Sequence, residues 1–181
     1  MKDKVINILA ISGSLKSNST NTNILRVISK IASQNVIINI FDGLDKLPHF
    51  NPGSTNDIES VNDFMRQLRV ADAVIFSTPE YAFGVPGVLK NALDWLVSSG
   101  ELNKKPIVAI SASPLYSGGD KALASLLLTL TALGTNMHLT SSLSIGSIKN
   151  KMNETGAITD QQTMEALELI LKDLIDRIAI L

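Results

Sequence analysis

Ser12-Gly-Ser-Leu-Lys-Ser-Asn-Ser-Thr-Asn-Thr22 is built mainly of hydroxyl and amide side chains, with one glycine and one lysine among them. Backbone N–H groups at a helix start, hydroxyl donors and a single ammonium together make an anion site, and a phosphate monoester suits it. The plain alternative is a hydrophilic turn carrying an ordinary Ser or Thr N-cap. Neither G-x-G-x-x-G nor G-x-x-x-x-G-K-[ST] is present, so the common nucleotide fingerprints do not account for this loop. A second stretch, Thr78-Pro-Glu-Tyr-Ala-Phe-Gly-Val-Pro-Gly-Val-Leu-Lys-Asn-Ala-Leu-Asp-Trp95, offers peptide groups from Glu80 to Gly84 with Tyr81 and Phe83 as walls. A flat heteroaromatic ring with donors and acceptors along its edge fits such a segment. The third, Ser111-Ala-Ser-Pro-Leu-Tyr-Ser-Gly-Gly119, is another loop of small residues. The loop of the second stretch carries almost no acid or base, so it looks shaped to hold a flat molecule rather than to move protons with its own side chains.

Other chemistry finds little support. The chain has no cysteine, which removes disulfides, thiolate nucleophiles and Cys-ligated metals. His49 and His138 are isolated, no Ser-His-Asp arrangement is evident, and no metal site is expected. Asp42 stands where a dinucleotide fold places its ribose-binding acid, but without the glycine fingerprint it reads as a solvated turn. Lys90 reads as solvent-facing, and Asp94 and Trp95 as packing or interface residues about two turns into a helix.

The elements that must position these loops alternate regularly. Val5 to Ile11, Val36 to Phe41, Ala73 to Ser77, Ile107 to Ser111 and a weaker Met137 to Ile145 read as strands. The first four are near-continuous apolar runs, the mark of strands covered on both faces of a parallel sheet. Helical stripes lie between them: Ile24, Leu25, Ile28 and Ile31; then Ile58, Val61, Phe64, Met65 and Leu68; then Val88, Leu89, Ala92, Leu93 and Leu96. Leu123, Leu126, Leu127, Leu130 and Leu133 form a fourth stripe that stops at Gly134, and a fifth helix begins near Thr159-Asp-Gln-Gln162, which has capping-box spacing, and runs through Leu167, Leu171, Leu174 and Ile178. Five β-α units with right-handed crossovers predict an α/β doubly wound, three-layer sandwich, and all three loops then fall at the carboxyl edge of one sheet, where such folds bind ligands. The irregular connection Asp42 to Asn56 is long enough to suggest a functional or interfacial role.

Length predicts one domain over residues 1–181. A net charge of -1 offers no basic excess for a phosphate backbone or an anionic lipid surface, so neither nucleic acid nor membrane is expected as a partner. The charged start and Asn7 favour a first strand over a signal peptide, and the protein is expected to be soluble and cytoplasmic.

In order and spacing, SGSLKSNSTNT, TPEYAFGVPGVLKNALDW and SASPLYSGG resemble the NAD(P)H-dependent FMN reductase family, and the likeness runs over nearly the whole chain. The block P-E-Y…P-G-x-L-K-N-A-x-D-W carries it most specifically. The resemblance implies a flavodoxin-like three-layer α/β/α sandwich with a five-stranded parallel sheet of order 2-1-3-4-5. It also implies bound FMN, with NADPH or NADH passing hydride through it to a second acceptor such as free flavin or a quinone, and a homodimer or homotetramer with flavin sites near the interfaces. Ser14, Lys16, Ser19, Asn21 and Thr22 fall on the family's phosphate-loop positions. Pro79, Glu80, Tyr81 and Ala82 fall on its ring-binding segment, and Ser113, Gly118 and Gly119 on its third loop. The chemistry would be carried by FMN, with no catalytic side chain. Two departures stand out: Lys16 where many members have Arg, and Ala82 and Gly84 where many have Asn and Ser, which leaves the ring to backbone groups. Two other readings are a flavodoxin-like electron carrier without direct NAD(P)H oxidation, against which the near-neutral charge speaks, and a non-catalytic protein of the same fold.

Overall fold

The computed structural model describes residues 5–53 and 58–180. In chain order the elements are β1 (Ile6–Ser12), α1 (Thr20–Ile31), β2 (Val36–Phe41), a 3₁₀ turn (Leu44–Lys46), α2 (Glu59–Val70), β3 (Ala73–Thr78) and α3 (Gly87–Asp94). They continue as β4 (Ile107–Ala112), α4 (Asp120–Ala132), β5 (Ser142–Ile145), a second 3₁₀ turn (Ile148–Asn150) and α5 (Gln161–Ala179). The five strands are all parallel in the order β2-β1-β3-β4-β5, the flavodoxin-like order.

The side-chain period of two splits each central strand between two cores. Leu9, Ile11, Val74, Phe76 and Ala109 face α2, α3 and α4, meeting Phe64, Leu89 and Leu126. Ile8, Ala10, Ile75, Val108 and Ile110 face α1 and α5, meeting Ile28, Leu167 and Leu174. Both faces of β1, β3 and β4 are therefore dry, which is why those strands read as unbroken apolar runs.

Several details differ from the expectation. β2 is an edge strand whose burial alternates, and Ile37 on it is 46% exposed, so its apolar run does not mark double coverage. β5 begins only at Ser142, because the preceding residues close a turn in which His138 N–H donates to Ser141 Oγ and Ser141 N–H to His138 O. α5 is capped by Asp160 rather than Thr159, its carboxylate accepting from Thr163 N–H at 2.9 Å. α3 ends at Asp94, with Trp95 as its C-cap, and the chain then continues in turns. Gly134 does terminate α4: it has φ +70°, and a Cβ there would lie 2.8 Å from Asn103 Oδ1. Of the long Asp42–Asn56 connection, residues 54–56 lie outside the described residues, while its earlier part packs on α3 through Phe50 edge-on to Trp95. Trp95 is accordingly a packing residue, with Nε1 donating to Pro48 O at 2.9 Å. Lys90 pairs with Asp94 one turn along α3. No helix among the described residues is long and apolar enough to cross a membrane.

Candidate functional site

The sheet order reverses between β1 and β3, so the connections leaving those two strands run to opposite sides and open a crevice at their carboxyl ends. Ser12 is in register with Ser77, and Thr78 with Ser111, so the three loops leave the sheet edge side by side. Gly13 makes the closest approach. Its N–H donates to Ser77 O at 2.8 Å, and an added Cβ would lie 3.0 Å from Leu89 Cδ2 and 3.1 Å from Thr78 Oγ1. A side chain here would press on Leu89 and Thr78, so glycine suits a first loop lying this low against β3 and α3.

The β1–α1 loop ends in a helix start suited to an anion. Ser19 is the N-cap of α1, its Oγ accepting from Thr22 N–H at 3.4 Å. Thr22 Oγ1 is 2.7 Å from Ser12 Oγ, and Ser14 Oγ accepts from Lys16 N–H at 3.3 Å. The Thr20 and Asn21 amides in the first helical turn have no acceptor among the described residues, which is the arrangement that binds phosphate at helix N-termini. Lys16 extends into solvent above them.

Asn21 has a different place from the one its family position suggests. It is 3% exposed, with Nδ2 donating to Ala112 O at 3.2 Å and Oδ1 accepting from Ser77 Oγ at 2.9 Å. Its side chain thus ties the start of α1 to the ends of β3 and β4, and only its backbone amide faces an anion. Glu80 is similarly engaged. α4 starts at Gly119, which cannot cap it with a side chain, and Glu80 Oε2 accepts from Ala122 N–H at 2.9 Å instead. The second loop therefore supplies the cap of the helix that follows the third.

In the second loop Tyr81 and Gly84 exchange both backbone bonds, at 3.1 and 3.0 Å, around a two-residue turn. Ala82 has φ +49° and Phe83 φ +60°, a pair of left-handed residues of the type I′ kind that normally prefers Asn-Gly. Neither the Ala82 nor the Phe83 amide has an acceptor among the described residues, so both are open to a ligand. Tyr81 and Phe83 are 58% and 77% exposed and stand as side walls. Pro79 O accepts from Thr78 Oγ1, which fixes the loop's entry.

Ser113 is buried, and its Oγ accepts from Leu115 N–H at 3.1 Å, shaping the third loop from within. Gly118 and Gly119 have φ +69° and +83°, and a Cβ on Gly118 would come within 2.3 Å of Ser144 Oγ. The end of β5 and Gly146 just after it were not singled out as site residues by sequence, yet they pack against the third loop: Ser144 Oγ donates to Ser117 O, and a Cβ on Gly146 would lie 2.1 Å from Tyr116 O. The small residues Ser144 and Gly146 were the available signal. Ser111 was also missed as a site residue. Its buried Oγ has no partner among the described residues and lies beneath Gly119, so one polar group at the base of the crevice remains unsatisfied within the chain.

These features suit a flavin mononucleotide. Open amides and an ammonium meet a phosphate, unpaired amides in a tight turn meet a ring edge, and glycines keep the surface low. No group of three or more His, Cys, Asp or Glu placed to hold a metal ion occurs among the described residues.

Residues 6–150 match the family described as NADPH-dependent FMN reductase. Over 180 residues the chain is 32% identical to an NAD(P)H-dependent FMN reductase of Pseudomonas aeruginosa, covering 93% of this chain and 97% of that one. It is 30% identical over 168 residues to a quinone reductase of Escherichia coli, covering 90% and 89% respectively. Among solved structures, the flavoenzyme NAD(P)H:(acceptor) oxidoreductase of Paracoccus denitrificans superposes with a TM-score of 0.87 at 29% identity, covering 97% of this chain and 98% of that one. The strand order, the three loops at one sheet edge and these likenesses converge, and the chain belongs to the NADPH-dependent FMN reductase family of FMN-dependent oxidoreductases.

Proposed function

We propose that the chain, as a single domain, binds FMN across the three loops and reduces a small acceptor of the quinone or free-flavin class at the expense of NADH or NADPH. FMN, when bound, supplies the hydride chemistry, taking hydride from the nicotinamide and delivering it onward. The protein's part is position and electrostatics. The open Thr20 and Asn21 amides hold the phosphate with Lys16 and the hydroxyls of Ser14 and Thr22, and Ser19 orients the helix start. The amides of Ala82 and Phe83 meet the ring's polar edge, while Pro79 and Tyr81 fix and flank that turn. Glu80, Ser113, Gly118 and Gly119 keep the second and third loops in one arrangement.

The observation that carries this reading is the pair of amides without acceptors on a left-handed turn at the same sheet edge as a helix start whose first amides are likewise open. Both are binding devices, and no acid-base pair accompanies them. Exposed Leu115, Tyr116 and Phe83 rim the crevice, and their apolar surface supports assembly as a homodimer or homotetramer that would shelter the ring. Cytoplasmic residence, where reduced nicotinamide nucleotides are supplied, belongs to the same reading. Steady-state oxidation of NADH and NADPH, with a water-soluble quinone and with excess FMN as acceptors, tests it. Parallel double-reciprocal lines are expected, because one substrate must leave before the next occupies the ring's open face. Absence of NAD(P)H oxidation by FMN-loaded protein with every acceptor overturns it.

A further inference from the structure

Among the hydroxyl side chains at the carboxyl edge of the sheet, Ser111 stands apart. Ser12 Oγ lies 2.7 Å from Thr22 Oγ1, Ser77 Oγ donates to Asn21 Oδ1 at 2.9 Å, Thr78 Oγ1 to Pro79 O at 2.9 Å and Ser144 Oγ to Ser117 O at 3.0 Å. Ser111, in register between Thr78 and Ser144, is wholly buried, and its Oγ has no partner among the described residues. A buried hydroxyl left unpaired costs stability, so the group calls for a partner that the flavin-free chain does not give it.

Over it lies a peptide in the same condition. A Cβ on Gly119 would come 3.7 Å from Ser111 Oγ and 3.3 Å from Glu80 Cβ, and one on Gly118 would come 2.8 Å from Gly146 N, so the two glycines are wedged between the second loop and the end of β5. Both are buried. Yet neither Gly118 O nor Gly119 N–H, the two polar groups of the peptide that joins them, has a partner among the described residues. The start of α4 explains the open carbonyl: the Ala122 amide, which helical spacing would bring to Gly118 O, donates to Glu80 Oε2 instead, and Leu123 N–H takes Gly119 O. Unpaired backbone groups at buried residues are rare, and here two of them adjoin an unpaired hydroxyl.

The flanking residues do not fix how this peptide faces. Gly118 and Gly119 have φ +69° and +83°, and glycine reaches either sign of φ at little cost. The carbonyl and N–H of one trans peptide point opposite ways, so a group that bonds one of them sets where the other looks. With Gly118 O turned down to the Ser111 hydroxyl, Gly119 N–H faces the crevice; with the peptide reversed, an acceptor does.

We propose that Ser111 is a positioning residue for the flavin ring, holding the Gly118–Gly119 peptide with its carbonyl inward so that a donor, not an acceptor, meets the bound ring. The proposal rests on the FMN reading of the crevice. A donor at the ring favours the electron-rich reduced form over the oxidised one, which is how hydrogen bonds tune a flavin. Ser111 therefore acts on the relative affinity for the two forms more than on the affinity for FMN as such, and it touches no reacting atom.

The test takes wild type, Ser111→Ala and Ser111→Cys through three measurements: urea unfolding without flavin, FMN titration by flavin fluorescence, and anaerobic redox titration of the loaded protein with a chemical reductant against a reference dye. Ser111→Ala removes an unpaired buried hydroxyl, so its urea midpoint is expected at or above that of wild type. Its affinity for oxidised FMN should change less than about threefold, while the ratio of reduced to oxidised affinity falls about tenfold. For a two-electron couple that is a drop of about 30 mV in midpoint potential. Ser111→Cys, a weaker donor, should fall between the two. A lower urea midpoint for Ser111→Ala means that the hydroxyl is already bonded in the flavin-free chain, and it overturns the proposal. So does an affinity ratio within about twofold of wild type in a variant that binds FMN. Wild-type protein that binds no FMN counts against the reductase reading instead.

Discussion

Asn21→Ala separates a structural tie from a ligand contact. The Asn21 carboxamide is buried and makes two bonds, from Ser77 Oγ at 2.9 Å and to Ala112 O at 3.2 Å. Truncation leaves a fully buried hydroxyl and a strand-end carbonyl without those partners, at about 1–3 kcal/mol each, so a loss of about 2–6 kcal/mol is expected. In a chain of this length that lowers the melting temperature by about 4–24 °C. Ser77→Ala alone removes one bond and strands Asn21 Oδ1, costing about 1–2 kcal/mol, and the two substitutions should couple by about 1 kcal/mol in a double-mutant cycle. Urea unfolding of the flavin-free protein measures both quantities without ligand. FMN affinity, read by flavin fluorescence, should fall as well, because the helix start loses its attachment to β3 and β4. If flavin-free Asn21→Ala unfolds within about 0.5 kcal/mol of wild type while FMN binding weakens, the side chain serves the ligand directly and the reasoning fails.

Glu80→Ala removes the cap of α4 and should cost about 0.5–2 kcal/mol, with a weaker hold on FMN, whereas Glu80→Gln retains an acceptor and should recover most of the stability in the same melting assay. Ala82→Asn places a residue that tolerates left-handed backbone at φ +49°, and thermal unfolding should show a gain of about 0.5–1 kcal/mol. The Asp160 carboxyl is held below its ordinary value of 3.8 by bonds from the Thr163 side chain and backbone. Its contribution is therefore complete above the unfolded value and is lost as pH falls through the folded one. Asp160→Asn should therefore lower stability modestly in the neutral range and converge with the wild type as pH falls below the folded value, so that the variant's acid limb below about pH 5 is flatter.

The layers were legible because the physics behind them is periodic. β1, β3 and β4 are apolar on both faces, α1 and α2 carry clean stripes, and Gly134 stops α4 where a left-handed residue is needed. β2 misled for the same reason: Val36-Ile-Ile-Asn-Ile-Phe41 reads as a doubly covered strand, yet it stands at the sheet's edge, a position set by topology and not by its own residues. β5 was overextended because Met137 to Ser141 lacks a proline or glycine to mark its turn. At the site, the three loops could be found from composition and motif. The internal roles of Asn21 and Glu80 could not, since each bonds across more than forty residues of sequence to groups that only the folded sheet brings near. The packing of Ser144 and Gly146 against the third loop was hidden likewise, because the glycine is required by a carbonyl of Tyr116 from a different loop.

The central claim is that this chain holds FMN on three loops at one sheet edge and exposes it to a reduced nicotinamide nucleotide. Anaerobic titration of the FMN-loaded protein with NADH and with NADPH, followed by the flavin's visible absorption, tests that claim most directly. The account predicts bleaching of the bound flavin in proportion to the nucleotide added, with full reoxidation when a quinone is admitted. Protein that does not retain FMN, or whose bound flavin stays oxidised with both nucleotides in excess, would contradict it.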